Sequence, residues 1–211
     1  MKGLFITFEG IDGVGKSTQL RLAAQALRTQ GYEVVESREP GGTVLAEKVR
    51  ELVLDPALPM TATTQTLMYL AARSEHVDKL IRPSLARGKI VLCDRFSDST
   101  FVYQGLAQGK SWEDIEKLRE LNSFACAGLV PDMTLVFDGE PEKLLERRQL
   151  RGVCDRYELA GLEFQKNLRA GFLKIAQAEP GRVHVVEAEG TQEEVFSQVM
   201  QQLLQVIDEA K

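Results

Sequence analysis

The sequence predicts an α/β protein in which helices cover both faces of a parallel sheet. Three observations support this prediction. Short apolar runs recur along the chain, longer segments with helical spacing separate them, and each crossover is long enough to hold a helix. The 211 residues, 44% of them hydrophobic, suffice for one well-filled core, so we expect a single domain over residues 1–211.

Five short runs rich in Val, Ile, Leu and Phe are predicted to form the strands, with both faces of each strand buried. They span residues 4–9, 33–37, 89–94, 133–138 and 182–187. The first, third and fourth runs each end in an acidic residue. Runs of this composition and length are typical of the strands of a parallel sheet.

Helical spacing is clearest in two segments. Apolar residues follow an i, i+4, i+7 rhythm from Leu20 to Leu27 and a similar rhythm from Val195 to Val206. Pro141 follows Gly139 and Glu140, and it suits the first position of a helix that runs to about Arg151. These helices alternate with the strands, as the fold class requires.

Composition excludes several classes of protein. The formal net charge of −5 and the pI of about 5.3 argue against a nucleic-acid-binding protein, which usually carries a basic face. No apolar run approaches the length of a membrane span, and the N-terminal run is too short for a signal peptide. Three widely spaced cysteines without a CxxC pair predict free thiols. We therefore expect a soluble, cytoplasmic protein that binds no membrane.

Residues 10–17 fit the phosphate-binding pattern G-x-x-x-x-G-K-[ST] at every position. With the residue that follows, the candidate ATP-binding loop consists of Gly10, Ile11, Asp12, Gly13, Val14, Gly15, Lys16, Ser17 and Thr18. Glycines let backbone N–H groups face phosphate oxygens, and the next helix offers its N-terminal amides. Lys16 is expected to reach the β and γ phosphates and Ser17 to ligate Mg²⁺. A glycine-rich turn without a ligand is the alternative, but the position between a predicted strand and a predicted helix favours the loop.

The third predicted strand ends in Asp94 and Arg95. A carboxylate at such a strand end lies near Mg²⁺ in phosphate-binding-loop folds, although many strands end in Asp as a simple turn residue. Arg95 would then point to a second anionic group, since Arg suits bidentate phosphate binding better than Lys does.

Four arginines surround a glycine further along the chain. They are Arg147, Arg148, Arg151 and Arg156, around Gly152. Without other information this segment is equally consistent with a solvated, basic helix end.

Several motifs together resemble the thymidylate kinase family, in its bacterial form, over nearly the whole chain. They are FEGIDG at 8–13, REPGGT at 38–43, AAR at 71–73, DRFSDST at 94–100 followed by Tyr103-Gln104, and the arginine-rich segment. The loop alone indicates only the P-loop superfamily, whereas REPGGT and DRF…YQ, in that order, are far more specific. The resemblance implies a five-stranded P-loop fold with a short lid at about 146–157. It also implies transfer of the γ-phosphate of ATP to dTMP, with Mg²⁺, on the way to dTTP.

The resemblance assigns an acceptor site facing the loop. Tyr69 stands where the family more often has a Phe that stacks on thymine, and Arg73 where a residue donates to the base carbonyl O4. Thr100 or Gln104 would read the ring N–H. The remaining positions carried over are Tyr103 against the sugar, Asp12 at the 3′-OH, Arg38 and Arg95 at the substrate phosphate, and Pro40 and Ser99 in the pocket wall.

The resemblance also assigns the catalytic charges. The attacking oxygen belongs to the substrate phosphate and is already ionised near neutral pH, so alignment and positive charge matter most. One branch of the family has an arginine where this chain has Gly13, and the bacterial branch instead uses the arginines of the lid. Arg151 is the first candidate, followed by Arg148, while Arg147 and Arg156 would contact ATP. Glu9 is expected near the Mg²⁺ shell or as a carboxylate that stabilises a turn.

Other functions stay open at this point. Another P-loop kinase, acting on guanylate or a deoxynucleoside, is opposed by Tyr103-Gln104 and by Asp12. A GTPase switch needs an Asn-Lys-x-Asp segment, which the sequence lacks. An ATP-binding module without activity would require idle lid arginines. The family forms two-fold dimers through helices, and residues 67–85 could offer an apolar face.

Overall fold

The computed structural model describes residues 2–144 and 161–210. Five parallel strands form one sheet in the order β2-β3-β1-β4-β5. The strands are β1 (Leu4–Glu9), β2 (Val34–Arg38), β3 (Ile90–Asp94), β4 (Met133–Asp138) and β5 (Val183–Glu187). The predicted fold class and the five strands are therefore confirmed, with the second to fifth strands shifted by at most one residue at an end.

Helices connect the strands. They are α1 (Lys16–Thr29), α2 (Val44–Leu54), α3 (Ala62–His76), α4 (Arg82–Ala86), α5 (Ser97–Tyr103), α6 (Trp112–Ala125), α7 (Gly161–Ala178) and α8 (Gln192–Glu209), with a π-helix at Val77–Ile81 and a 3-10 turn at Leu106–Gln108. Residues 141–144 are helical from Pro141 onward, as predicted, and the rest of that expected helix lies outside the described residues.

The expectation that every strand is buried on both faces is wrong for β2 and β5. Both lie at the edges of the sheet, so in the described part of the chain each has a neighbouring strand on one side only. Val34 and Val35 are only half-buried, and Val185 is 45% exposed. The apolar composition of an edge strand does not distinguish it from that of a central strand.

The core lies on both faces of the sheet because side chains alternate along each strand. On one face Ile6 and Phe8 of β1 belong to the larger core cluster, which also contains residues of α1 and α8. On the other face Phe5 packs in a smaller cluster with Val77 and Ile81 of the π-helix. These layers fix the carboxyl ends of β1 and β3 side by side, since Phe8 is paired with Asp94.

Candidate active site

A cavity of about 320 Å³ opens at the carboxyl ends of β1, β2 and β3. Such crevices are the usual ligand sites of open α/β sheets. It brings together most of the predicted site residues, namely Asp12, Gly13, Gly15, Lys16, Ser17, Thr18, Arg38, Pro40, Tyr69, Arg73, Asp94, Arg95, Ser99, Thr100, Tyr103 and Gln104. Gly10, Ile11 and Val14 belong to the same loop but do not line the cavity.

The glycine-rich loop turns sharply between β1 and α1. Gly10 has a φ of +132°, and a Cβ there would stand 2.6 Å from the carbonyl oxygen of Phe137, so only glycine fits this close approach. Gly15, with a φ of +103°, precedes α1 and offers no side-chain cap to its first amides. These N–H groups are thus available to an anion, together with the positive end of the helix dipole.

Lys16 lies buried against the loop. Its Nζ donates to the carbonyl oxygens of Gly10 and Ile11 at 3.0 and 2.9 Å. Burial, reinforced by the neighbouring charge of Arg95, lowers the pKa of Lys16 to about 8. A phosphate in the cavity would reverse this shift, because an adjacent negative charge favours the protonated amine.

Ser17 and Asp94 form the candidate Mg²⁺ site. The Ser17 hydroxyl donates to Asp94 Oδ2, which joins the first turn of α1 to the end of β3. Within the ranges 2–144 and 161–210, no group of three or more His, Cys, Asp or Glu side chains is arranged around a metal position. Mg²⁺ commonly takes one or two protein oxygens together with water and substrate phosphates, so this pair fits the ion.

Glu9 holds the turn that follows β3. Its Oε1 accepts from the backbone N–H groups of Phe96 and Ser99, and its Oε2 accepts from the Ser99 hydroxyl at 2.6 Å. The carboxylate thus stabilises a turn, the second of its two predicted roles, and its contact with Mg²⁺ stays a prediction. Complete burial, followed by the charge of Asp98, raises the pKa of Glu9 to about 7.

Arg95 connects this turn to the glycine-rich loop. Its φ of +72° lies in the left-handed region, which is uncommon for a residue with a side chain. The guanidinium donates to Asp12 Oδ1 at 2.5 Å, to Gly10 O at 2.9 Å and to Ser99 Oγ at 3.1 Å. A backbone outlier held by so many contacts is characteristic of a functional site.

Tyr103 completes the wall beside the loop. Its hydroxyl donates to Asp12 Oδ2 at 3.3 Å, and the Arg95 guanidinium lies 5.0 Å from the centre of its ring. The predicted sugar-side pair, Asp12 and Tyr103, is therefore in direct contact.

Arg73 lines the same cavity and is only 3% exposed. Its Nε donates to Glu39 Oε2 at 2.6 Å, and Nη2 to the carbonyl oxygen of Phe96 at 3.0 Å. Its Nη1 donates to Thr100 Oγ1 at 2.9 Å and to Asn122 Oδ1 at 2.8 Å. Arg73 is thus hydrogen-bonded to Thr100, which is one of the two residues, with Gln104, predicted to recognise the ring N–H.

The other predicted acceptor residues also line the cavity. Tyr69 is half-buried on α3, one turn before Arg73, and Gln104 is buried at the end of α5. Pro40 follows a cis peptide bond. Arg38 is largely exposed, and its Nη2 donates to Glu47 Oε2 at 3.0 Å, so it is tied to α2.

Sequence reasoning missed Arg50, Glu39, Leu54 and Phe96 in the cavity wall. Arg50 is a further cation: its Nη1 donates to the Pro40 carbonyl oxygen at 3.0 Å, and burial followed by Arg38 lowers its pKa. A signal for Arg50 was present, because Glu47, Arg50 and Leu54 fall on one face of the helix that follows REPGGT.

The arginine-rich segment, with Arg147, Arg148, Arg151 and Arg156, lies outside the described residues. None of the helices that the structure does describe combines the length and apolarity needed to cross a bilayer.

Comparison with known proteins gives one consistent answer. The family model described as thymidylate kinase matches residues 8–199. A thymidylate kinase of Shouchella clausii is 45% identical over 205 residues, covering 96% of this chain and 95% of its own. One of Ectopseudomonas mendocina is 46% identical over 200 residues, covering 94% of each chain.

The fold agrees with a solved structure. The crystal structure of thymidylate kinase from Ehrlichia chaffeensis superimposes with a TM-score of 0.76 at 37% identity, covering 96% of this chain and 99% of that one. Sequence, fold and site thus converge, and the chain belongs to the thymidylate kinase family.

Proposed function

We propose that this chain transfers the γ-phosphate of ATP to dTMP, giving dTDP and ADP on the way to dTTP. Membership of the thymidylate kinase family supports this activity. The observation that carries the proposal is that one cavity joins the glycine-rich loop with Arg73, Thr100 and Tyr69. A donor nucleotide on the loop and an acceptor against these three residues would meet end to end.

The pocket selects its acceptor nucleotide by the base and by the sugar. The ring of Tyr69 offers a flat apolar face to the base. Arg73 supplies a donor toward the carbonyl O4, where cytosine would present a second donor, so the pocket favours thymine. Tyr103 lies against the sugar with Asp12 beside it, which supports recognition of a 3′-OH and exclusion of a 2′-OH.

The phosphoryl transfer depends on alignment and positive charge. An oxygen of the dTMP phosphate attacks the γ-phosphorus, and ADP leaves. Lys16 and Arg95 both donate to the carbonyl oxygen of Gly10, which supports a role for both cations beside the transferring phosphoryl group. Ser17 and Asp94 would hold Mg²⁺, which screens the charge of the donor phosphates. Arg38 and Arg50 add two cations at the acceptor side.

The arginine-rich segment completes the proposal from sequence alone. Gly13 leaves the loop without an arginine of its own, so we infer that Arg151, with Arg148, supplies charge at the transferring phosphoryl group, and that Arg147 and Arg156 bind ATP. The protein works in the cytoplasm, where both nucleotides are present.

We also propose a homodimer. Phe124 is 90% exposed and Leu121 45% exposed, one turn apart on α6, which packs against α3. Leu67 on α3 is 53% exposed. Large apolar side chains exposed on adjoining helices mark an interaction surface, and a second copy of the chain is the occupant we propose.

Turnover of a set of acceptors tests the proposed function. Purified protein with ATP and Mg²⁺ is offered dTMP, dUMP, dGMP and thymidine, and ADP formation is followed. We expect dTMP to be the best acceptor. Faster turnover of dGMP or thymidine would indicate the alternative P-loop kinase, and no ADP with any acceptor would indicate a binding module.

A further inference from the structure

A chain of hydrogen bonds runs from the half-buried Ser37, through the buried His76 and Glu39, to Arg73 in the cavity wall. Ser37 Oγ lies 2.7 Å from His76 Nε2, and His76 Nδ1 lies 2.9 Å from Glu39 Oε1. The other oxygen of Glu39 accepts from Arg73 Nε at 2.6 Å. His76 is completely buried and does not line the cavity, so it can act on a ligand only through its neighbours.

Hydrogen bonds within the protein hold the guanidinium of Arg73 in place and leave one N–H group unused. A guanidinium has five N–H groups, and four of those on Arg73 are used by acceptors in the described part of the chain. One N–H on Nη2 is left for the cavity that Arg73 lines. Its direction depends on the rotation of the guanidinium plane, which Glu39 fixes at Nε.

Glu39 in turn depends on His76. Both oxygens of the buried Glu39 are hydrogen-bonded, Oε2 to the guanidinium of Arg73 and Oε1 to His76 Nδ1. A carboxylate paired with a guanidinium is ionised and only accepts, so His76 Nδ1 carries a proton and donates it to Glu39. Without this donor, a buried carboxylate oxygen would have no hydrogen-bond partner, and this would lower the stability of the folded arrangement.

The backbone around His76 is built to leave room for this contact. A Cβ on Gly42 would stand 2.6 Å from both His76 Nε2 and Ser37 Oγ, and Gly42 has a φ of +82°. The π-helix Val77–Ile81 begins directly after His76. Single π-helical turns of this kind occur often at functional sites.

We propose that His76 is a positioning residue for base recognition, which orients Arg73 through Glu39. The inference rests on the proposed acceptor site and deepens it. Oriented in this way, the free N–H of Arg73 meets a carbonyl acceptor of the base at a fixed place, and a misplaced base loses that bond. Residues that contact the ligand-binding side chains, but not the ligand, commonly determine how accurately those side chains are placed.

Two substitutions separate the contacts of the imidazole. In H76N the amide nitrogen can take the place of Nδ1 and donate to Glu39, whereas in H76Q it can take the place of Nε2 and reach only Ser37. We would measure the dTMP Kd by calorimetry without ATP, and kcat, the KM values for dTMP and ATP, and discrimination against dCMP.

For H76Q we expect a rise of about tenfold in the dTMP Kd and KM, and a loss of about tenfold in discrimination, with kcat and the ATP KM within about twofold. H76N should rescue all of these to within about threefold. Equal losses in both variants would show a merely structural role and overturn the proposal, as would wild-type values in H76Q.

A measurement on the unsubstituted protein covers the case in which H76Q does not fold. The chain has two histidines, so a long-range ¹H–¹⁵N spectrum, assigned with H76N, reports the protonation of His76. We expect a proton on Nδ1, and its absence would overturn the proposal. If the unsubstituted protein bound no dTMP, the proposed function itself would fail, which is a separate result.

Discussion

Arg95 and Asp12 form an ion pair in which Nη2 lies 2.5 Å from Oδ1. The pair ties the turn after β3 to the glycine-rich loop, and Tyr103 donates to the other Asp12 oxygen at 3.3 Å. Burial would lower the pKa of Arg95, but the charge of Asp12, followed by those of Tyr103 and Asp94, raises it overall. The arginine therefore stays charged between the loop and the proposed acceptor side.

R95K should lower kcat/KM for dTMP by about 100-fold or more, because lysine cannot reproduce the forked contacts of the guanidinium. The dissociation constant for ATP should change little. Steady-state kinetics and calorimetry test this, with the exposed Arg87→Lys as the matched control. Near-normal kcat/KM in R95K would contradict the role given to Arg95.

D94N should raise the Mg²⁺ concentration for half-maximal activity by about tenfold or more, because an amide is a weaker ligand than a carboxylate for a hard cation. Removal of Mg²⁺ with EDTA should abolish turnover while dTMP still binds. Titration of activity with Mg²⁺ gives the comparison, and the exposed Asp78→Asn should keep the normal requirement. An unchanged Mg²⁺ curve in D94N would count against the Ser17–Asp94 site.

Glu9 makes stability depend on pH in a defined direction. Its pKa is raised from 4.5 to about 7 in the folded protein. As the pH rises through this window, Glu9 ionises in the unfolded chain but keeps its proton in the folded one. The unfolded state then binds fewer protons, so the free energy of unfolding falls with rising pH.

The side chain in E9Q cannot ionise, so this loss of stability with rising pH disappears, while its amide oxygen still accepts from the Phe96 N–H. The unfolding free energy of E9Q minus that of the unsubstituted protein should therefore grow by about 3 kcal/mol from pH 4.5 to pH 7. Urea unfolding of both proteins at several pH values measures the difference. A difference that stays constant with pH would be inconsistent with a raised pKa of Glu9.

R151A should lower kcat by several powers of ten, as does loss of other arginines that stabilise charge in phosphoryl transfer. The KM for dTMP should stay roughly unchanged, because Arg151 is assigned to the transferring phosphoryl group. Single-turnover and steady-state kinetics test this together. An unaltered kcat would refute the assignment.

F124D should shift the protein from dimer to monomer in light scattering after gel filtration, because a charge would replace a large apolar side chain at the proposed interface. V185T, at the exposed edge of β5, is the control and should leave the mass unchanged. A monomer in the unsubstituted protein would remove the dimer proposal.

Local patterns were sufficient for the five strands, for the helices around Leu20–Leu27 and Val195–Val206, and for the phosphate-binding loop. The bounds of β1 and β4 agree with prediction to the residue, because each is defined by a run of apolar residues that ends in an acidic residue. The roles predicted for Lys16 and Ser17 follow from the same local chemistry. Nothing in these local patterns told edge strands from central ones, so the exposure of β2 and β5 was not foreseen.

The tertiary structure decided which distant residues share a site. Glu39 and Arg73 are 34 positions apart, and Arg73 and Asn122 are 49 apart, yet they are hydrogen-bonded. These pairings depend on the order β2-β3-β1, which brings three strand ends together, and on how α3 packs against α6. Strand order and helix packing arise from the burial of apolar surface between distant parts of the chain. A pattern of apolar residues along the sequence does not show which distant segments pack together.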